Sequence, residues 1–267
     1  MAAVAALRVV PVACLRDNYA YLLVCEATRS AAAVDCVEPH KVLAAAAAAG
    51  VRVTQVLTTH SHWDHAGGNN AMRALLGGAV PVLAGRGDGA EGATVEVGEG
   101  DHLHQGLLRV NVISTPCHTA GHVCYYVAGG GAPGVVFTGD TLFVGGSGNL
   151  NQGSPGQMYA ALSKLAALPG DTRVFCGHNY TERNLVFALD QVEPDNEWMR
   201  RKLAEARELN ARKEFIPSTI QEERMHNVFV RSGTPEVQAW AGALCQGDPV
   251  ATLLKVRTAK DVWGKTH

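Results

Sequence analysis

The densest chemistry in this 267-residue sequence lies in one run, Thr58-Thr-His60-Ser-His62-Trp-Asp64-His65-Ala-Gly-Gly-Asn69. It follows a strand-like stretch, Val53 to Leu57, and precedes a helix predicted from about Asn69. Side chains alternate along an extended chain, so His60 and His62 point the same way. A turn after them brings Asp64 and His65 to face the same cavity from the other side. Four candidate ligands in so short a run suffice for two metal positions, a pair of histidines for one and an Asp/His pair for the other. Imidazole and carboxylate without thiolate suit zinc, iron or manganese at a catalytic rather than a structural site. Three further segments carry the same residue types: Thr115-Pro-Cys-His118-Thr-Ala-Gly-His122, Phe137-Thr-Gly-Asp140-Thr-Leu-Phe and Phe175-Cys-Gly-His178-Asn-Tyr180. Each follows a strand-like run, where a rigid scaffold presents functional groups from its loops. A merely histidine-rich surface loop accounts for none of this recurrence.

The pattern HxHxDH followed by a distant His, Asp and His resembles the metallo-β-lactamase superfamily. Over nearly the whole chain it is similar to one branch, the glyoxalase II or hydroxyacylglutathione hydrolase family. The likeness runs from Asp17-Asn-Tyr19 through the 59–69 core, Gly139-Asp-Thr-Leu-Phe143, Gly177-His178 and Pro217-Ser-Thr219 to Arg257 and Lys260. It implies an α+β fold, an αββα sandwich followed by a small helical C-terminal domain. It also implies two divalent metal ions, zinc first, with iron or manganese as alternatives. His60, His62 and His118 would hold one, Asp64, His65 and His178 the other, and Asp140 would bridge them. Such a pair lowers the pKa of a shared water from ~15.7 towards neutrality for attack on a carbonyl. A metal also stabilises the oxyanion, so no Ser or Cys nucleophile is needed. Asp64 and Asp140 are the expected catalytic residues, Asp64 also orienting the attacking water. The implied reaction is hydrolysis of S-(2-hydroxyacyl)glutathione, such as S-D-lactoylglutathione, in methylglyoxal detoxification.

The thiol site departs from that family. The family carries a Lys-aromatic-Tyr segment after Gly-Asp-Thr-Leu-Phe, and here the segment reads Gly148-Asn149-Leu150-Asn151. Tyr180, Arg257 and Lys260 match the family's remaining contacts, so the expected substrate residues are Tyr180, Arg257, Lys260, Asn149 and Asn151. Hydrogen bonds to charged groups contribute about 1.5–3 kcal/mol, so the lost lysine predicts a glutathione grip roughly ten- to a hundredfold weaker. A thioesterase for another thiol carrier and a non-catalytic binding protein on this scaffold are the competing readings. The full ligand set weighs against the second. A persulfide dioxygenase, a nuclease and a β-lactamase of the same superfamily fit the helical C-terminus or the charge balance less well. His122 is read as a hydrogen-bonding residue behind the ligands, and His102 and His104 as ordinary exposed histidines in a loop-like stretch. Cys117 and Cys176 are read as packing residues.

These groups need elements to position them. Strand-like runs at 7–12, 19–24, 32–34, 51–58, 80–83, 108–113, 124–127 and 134–138 alternate with helical stretches at 40–49 and 69–76, a layered rather than all-β pattern. From about Thr181 the pattern is helical. Asp195 is the expected N-cap of a charged helix reaching Lys213, with i,i+4 pairs Glu197/Arg201 and Glu208/Arg212. Two more helices are expected near 235–244 and 249–260. The expected division is a catalytic domain, residues 1–178, and a helical substrate-binding domain, residues 179–267. The alanine run at 44–49 reads as helix filler and the glycines at 129–131 as a tight turn. With 47% hydrophobic residues, the chain has ample material for a core without disulfides. The seven cysteines form no CxxC pair and read as reduced and buried, which suggests a cytoplasmic protein. Lys+Arg 23 against Asp+Glu 25 argues against a nucleic-acid binder, and no apolar run reaches the ~18–20 residues of a membrane span. The Ala-rich start, Met1 to Ala6, lacks a basic targeting region and is read as folded protein. A monomer acting on a small glutathione thioester is expected.

Overall fold

The computed structural model describes residues 6–128 and 133–266. In chain order the first half carries β1 (Leu7–Cys14), β2 (Asn18–Cys25), β3 (Ser30–Val34), α1 (Pro39–Ala49), β4 (Arg52–Leu57), α2 (Trp63–Ala66), α3 (Asn69–Leu75), β5 (Val82–Gly85) and β6 (Val95–Val97). Then follow β7 (His102–Gln105), β8 (Leu108–Ser114), β9 (Val123–Val127), β10 (Val135–Gly139), the short hairpin β11 (Leu142–Phe143) and β12 (Gly146–Ser147), α4 (Pro155–Ala166) and β13 (Arg173–Cys176). The C-terminal part is helical: α5 (Thr181–Gln191), α6 (Glu197–Ala211), α7 (Ile220–His226), α8 (Pro235–Ala241) and α9 (Pro249–Trp263).

Two sheets face each other, one in the order β1-β2-β3-β4-β5-β6, the other β13-β10-β9-β8-β7. Why they stack in the middle of the molecule is legible in β2. Tyr21, Leu23 and Cys25 enter the core between the sheets, while Ala20, Leu22 and Val24 pack on the other face with Val42 of α1 and Met72 of α3. A strand apolar on both faces must be covered on both. β10 behaves likewise: Val135 and Phe137 face the inter-sheet core, and Val136 faces Met158 of α4 and Phe187 of α5. The layers are therefore helix, sheet, sheet, helix, the αββα order the resemblance implies.

Several local expectations are revised. The N-cap of α6 is Asn196, whose side chain accepts from the amides of Trp198 and Met199, so the helix starts one residue later than Asp195 predicts. Glu208 pairs with Arg212 at 2.9 Å, but Glu197 pairs with Arg200, because Arg201 lies over the Trp198 ring instead. His102 and His104 are exposed but belong to strand β7, where pairing with β8 outweighs their polar composition. α8 stops at Ala241, where Gly242 breaks it, and a 3-10 turn follows at Ala243–Cys245. α4 has no counterpart in the sequence reading, although Ser154 and Gln157 form a full capping box at its start. Met1–Ala5 and the glycines at 129–131 lie outside the described residues. All seven cysteines are free and buried. Among the described residues no helix is long and apolar enough to cross a membrane.

Candidate metal centre and cleft

Every candidate ligand sits where a strand ends or a short helix begins. His60 and His62 follow β4, His65 lies in α2, Asp140 follows β10 and His178 follows β13. Their atoms converge. His62 Nδ1 lies 3.1 Å from both His60 Nε2 and His118 Nε2. On the other side His65 Nε2 and His178 Nε2 are 3.2 Å apart, with Asp64 Oδ2 3.3 Å from the latter. Asp140 stands between the groups: Oδ2 is 3.5 Å from His118 Nε2 and 3.4 Å from His178 Nε2, while Oδ1 is 3.4 Å from His65 Nε2. Within the trio His60, His62 and His118, and within Asp64, His65 and His178, the donor atoms all lie within 4.8 Å of one another.

The remaining ring nitrogens explain why these atoms face inward. His118 Nδ1 donates to the Asn149 carbonyl at 3.1 Å, His178 Nδ1 to Asp17 at 2.9 Å and His65 Nδ1 to Asp35 at 3.0 Å. His60 Nδ1 is 3.0 Å from Thr59 Oγ1, which itself donates to Asp35 at 2.8 Å. A carbonyl or carboxylate only accepts, so these contacts place a proton on Nδ1 of His65, His118 and His178 and turn their Nε2 atoms into the cavity, where His62 presents Nδ1. A cation among them would let the His65 and His178 Nε2 atoms, 3.2 Å apart, both present lone pairs to it. Asp140 Oδ1 is buried without a hydrogen-bond partner among the described residues, as a carboxylate awaiting a cation is. The donor set therefore fits divalent ions.

The charges fit too. Burial opposes ionisation of Asp140, but the surrounding His65, His178 and His118 outweigh it and hold its pKa at about 2. His178 is burdened by burial, yet Asp140, Asp64 and Asp17 raise it to about 10, so a cation binding there would displace its Nε2 proton. His60, buried among other imidazoles, is pushed far below the usual histidine range. His122 turns no atom to the cavity. It accepts the Asp140 amide on Nε2 at 3.1 Å and contacts Thr115 Oγ1 through Nδ1 at 2.8 Å, its pKa lowered to about 3 chiefly by burial. It thus holds the Asp140 backbone in place.

Close packing reaches the backbone. Gly139 has φ +45°, and a Cβ there would meet Thr59 Oγ1 at 2.4 Å. A Cβ on Gly177 would fall 2.3 Å from Asp140 Oδ1. Neither position has room for a side chain.

A cleft of about 570 Å³ runs from His62, Asp64, His118, Asp140 and His178 to a wall supplied by α5, α9 and the segment after β12. Of the expected substrate residues, Asn149, Tyr180, Arg257 and Lys260 line it. Asn151 does not: the chain packs Leu150 inward, Gln152 then bonds back to the Cys117 carbonyl, and Asn151 is left exposed outside the cleft wall. The Tyr180 ring stacks on His178 at 4.7 Å. Arg257 is buried rather than on a solvated helical face. It lies over Phe229, pairs with Asp261 at 2.7 Å and donates to the Ser147 carbonyl at 3.3 Å. Sequence reasoning missed Asp35 and gave no role to Asp17 and Asn18, the last of which donates to Asp64 at 3.0 Å. It also missed Arg183, Asn184 and Lys265 in the cleft wall. Trp63, between His62 and Asp64, is 70% exposed beside this centre.

The hairpin β11–β12 is gripped by the helical part. Glu223 of α7 accepts the Gly145 amide at 3.0 Å, Asn227 donates to the Phe143 and Gly146 carbonyls at 3.2 and 3.0 Å, and Asn184 donates to the Val144 carbonyl at 3.0 Å. The helices thereby fix the chain directly after Asp140.

Comparison with known proteins decides the family. Residues 23–178 match the metallo-beta-lactamase superfamily, and residues 179–263 match the hydroxyacylglutathione hydrolase C-terminus. The cytoplasmic hydroxyacylglutathione hydrolase of Arabidopsis thaliana is 46% identical over 96% of this chain and 99% of its own. The chain belongs to the hydroxyacylglutathione hydrolases. It is thus a thioester hydrolase of the metallo-β-lactamase superfamily. Among solved structures, ETHE1 from Myxococcus xanthus is 27% identical with a TM-score of 0.64, covering 96% of this chain and 98% of that one. TTHA1623, solved in a di-iron-bound form, is 25% identical with a TM-score of 0.56, covering 82% of this chain and 97% of its own.

Proposed function

We propose that this hydroxyacylglutathione hydrolase acts on S-(2-hydroxyacyl)glutathione, such as S-D-lactoylglutathione, releasing glutathione and a 2-hydroxy acid. The observation that carries the reading is the pair of converging donor trios with Asp140 between them, opening into a cleft walled by α5 and α9. His60, His62 and His118 would hold one divalent ion, Asp64, His65 and His178 the second, and Asp140 both. When bound, the two ions supply an acidified water and a Lewis acid for the thioester carbonyl. The chain's own residues do the rest. Asp17, Asp35, Thr59 and the Asn149 carbonyl fix the imidazole rings, and Asn18 holds Asp64 so that its carboxylate orients the attacking water. A thiolate leaves with little need of a proton, so no dedicated general acid is required. Tyr180, Arg257 and Lys260 shape the wall that receives the thiol half, Asn149 contributes no charge there, and residues 179–267 serve as the substrate-binding part.

Zinc is the proposed metal, since imidazole and carboxylate donors suit it; iron, the metal in the TTHA1623 structure, and manganese suit the same donors. A cytoplasmic monomer completes the proposal. Steady-state hydrolysis of S-D-lactoylglutathione by metal-analysed protein tests it, with kcat and KM resolved. Turnover with two ions per chain and a raised KM is expected. No turnover despite two bound ions would favour a different thiol carrier, the second reading that Asn149 supports.

A further inference from the structure

The cleft wall holds four cations, Arg183, Arg257, Lys260 and Lys265, and they are not equivalent. Arg257 is buried and already committed to Asp261 and the Ser147 carbonyl. Lys260 donates to Asn184 Oδ1, and its burial beside the Arg257 and Arg183 guanidiniums disfavours its charge. Arg183, in the first turn of α5, is different. Its Nη2 donates to the Gly264 carbonyl at 2.8 Å, and among the described residues no carboxylate pairs with it. That single anchor aims the guanidinium while leaving the rest of its planar fork unused. Such a fork meets a carboxylate with two parallel hydrogen bonds, which an ammonium does not reproduce. Arg183 also follows His178 by five residues, with Tyr180 between, so one short rigid segment carries both a candidate metal ligand and this cation.

We propose that Arg183 is the specificity-determining cation that grips a carboxylate of the thiol half of the substrate, in place of the positive charge absent at Asn149. The inference rests on the glutathione thioester reading above. Lys265, likewise without an ion pair among the described residues, adds to the field that draws the carboxylate in.

The experiment compares the wild type with Arg183→Gln and Arg183→Lys on S-D-lactoylglutathione. It adds two analogues, each with one of the two glutathione carboxylates amidated. Arg183 is exposed on α5 and glutamine is a comparable helix former, so the charge is lost without opening the core. Arg183→Gln is expected to raise KM roughly tenfold with kcat held within about twofold, because the contact is the same in ground and transition states. Arg183→Lys should fall between. The wild type should discriminate against one amidated analogue, and Arg183→Gln should lose that discrimination. Unchanged KM and unchanged discrimination in Arg183→Gln would overturn the assignment, as would a fall in kcat with KM unmoved. A wild type that binds two ions yet turns over no glutathione thioester overturns the functional reading itself, and this assignment with it.

Discussion

At the residue scale the centre is a set of imidazoles whose orientation is decided one bond further out. The inward atoms were legible because HxHxDH packs four of them into one short run and His118, Asp140 and His178 each follow a strand-like run, the last two directly after a glycine. Asp35 was not legible: it is a single carboxylate between β3 and α1, with no motif, and only the fold carries it to within 3.0 Å of His65. Asn149 shows the same limit, since its side chain was read for charge while its backbone carbonyl orients His118. Two residue-scale outcomes follow. Asp140→Ala removes the one carboxylate that reaches both trios, so metal content should drop together with turnover; a variant retaining both ions and full activity would remove Asp140 from the role assigned to it. Asn149→Lys should lower KM for a glutathione thioester several-fold with little change in kcat, because the carbonyl that holds His118 is retained. An unmoved KM would mean the carboxylate is held on the α5–α9 wall alone.

At the element scale the hairpin β11–β12 owes its place to side chains from helices far along the chain. Glu223 is the most exposed to pH among these, although it is itself fully buried. Burial raises its pKa from 4.5 to about 7, opposed by hydrogen bonds from Ser218, Asn227 and the Gly145 amide and by the charge of Lys202; the His226 ring lies 3.7 Å away, kept neutral by a pKa of about 4. A carboxyl whose folded pKa exceeds its unfolded value favours the folded state while protonated. Its contribution is therefore present below about pH 4.5 and lost as the pH rises through about 7. Glu223→Gln keeps the pattern, the amide oxygen accepting from Gly145 and Asn227 and the amide nitrogen facing Ser218. Its unfolding free energy, measured in denaturant, should lack that loss, a difference of order 2–3 kcal/mol between pH 4.5 and 8. Parallel pH profiles for the two proteins would discount Glu223. Helix α4 belongs to this scale as well. Its capping box was present in Ser154-Pro-Gly-Gln157, but the glycine in the first turn hid it from a propensity reading.

At the scale of the whole molecule the αββα layering was legible because strands such as β2 and β10 are apolar on both faces. The continuity of the outer core across residue 178 was not. Val136, Leu162 and Val174 share one cluster with Phe187, Met199, Phe229 and Val256, so neither side can bury its apolar face alone. The pairing of elements distant in sequence carries no local signal for this. The full chain should therefore unfold in a single cooperative transition by near-UV and far-UV circular dichroism. A fragment ending at residue 178 should lack fixed tertiary packing, and one that melted cooperatively at the temperature of the full chain would contradict the shared core.

Trp63 and Trp263 give this arrangement an optical consequence. The first lies solvated between His62 and Asp64, and the second is buried in the cleft wall with its indole donating to Asp190 at 2.9 Å. One chain thus holds a solvated, red-emitting fluorophore beside the candidate metal centre and a buried, blue-shifted one in the α9 wall of the cleft. Chelation should alter the red component, and Trp63→Phe should abolish that response. Occupation of the cleft by glutathione should alter the blue component in the same sample. A chelator titration that left the emission of the wild type and of Trp63→Phe equally unchanged would mean that the indole does not sense the ions beside it.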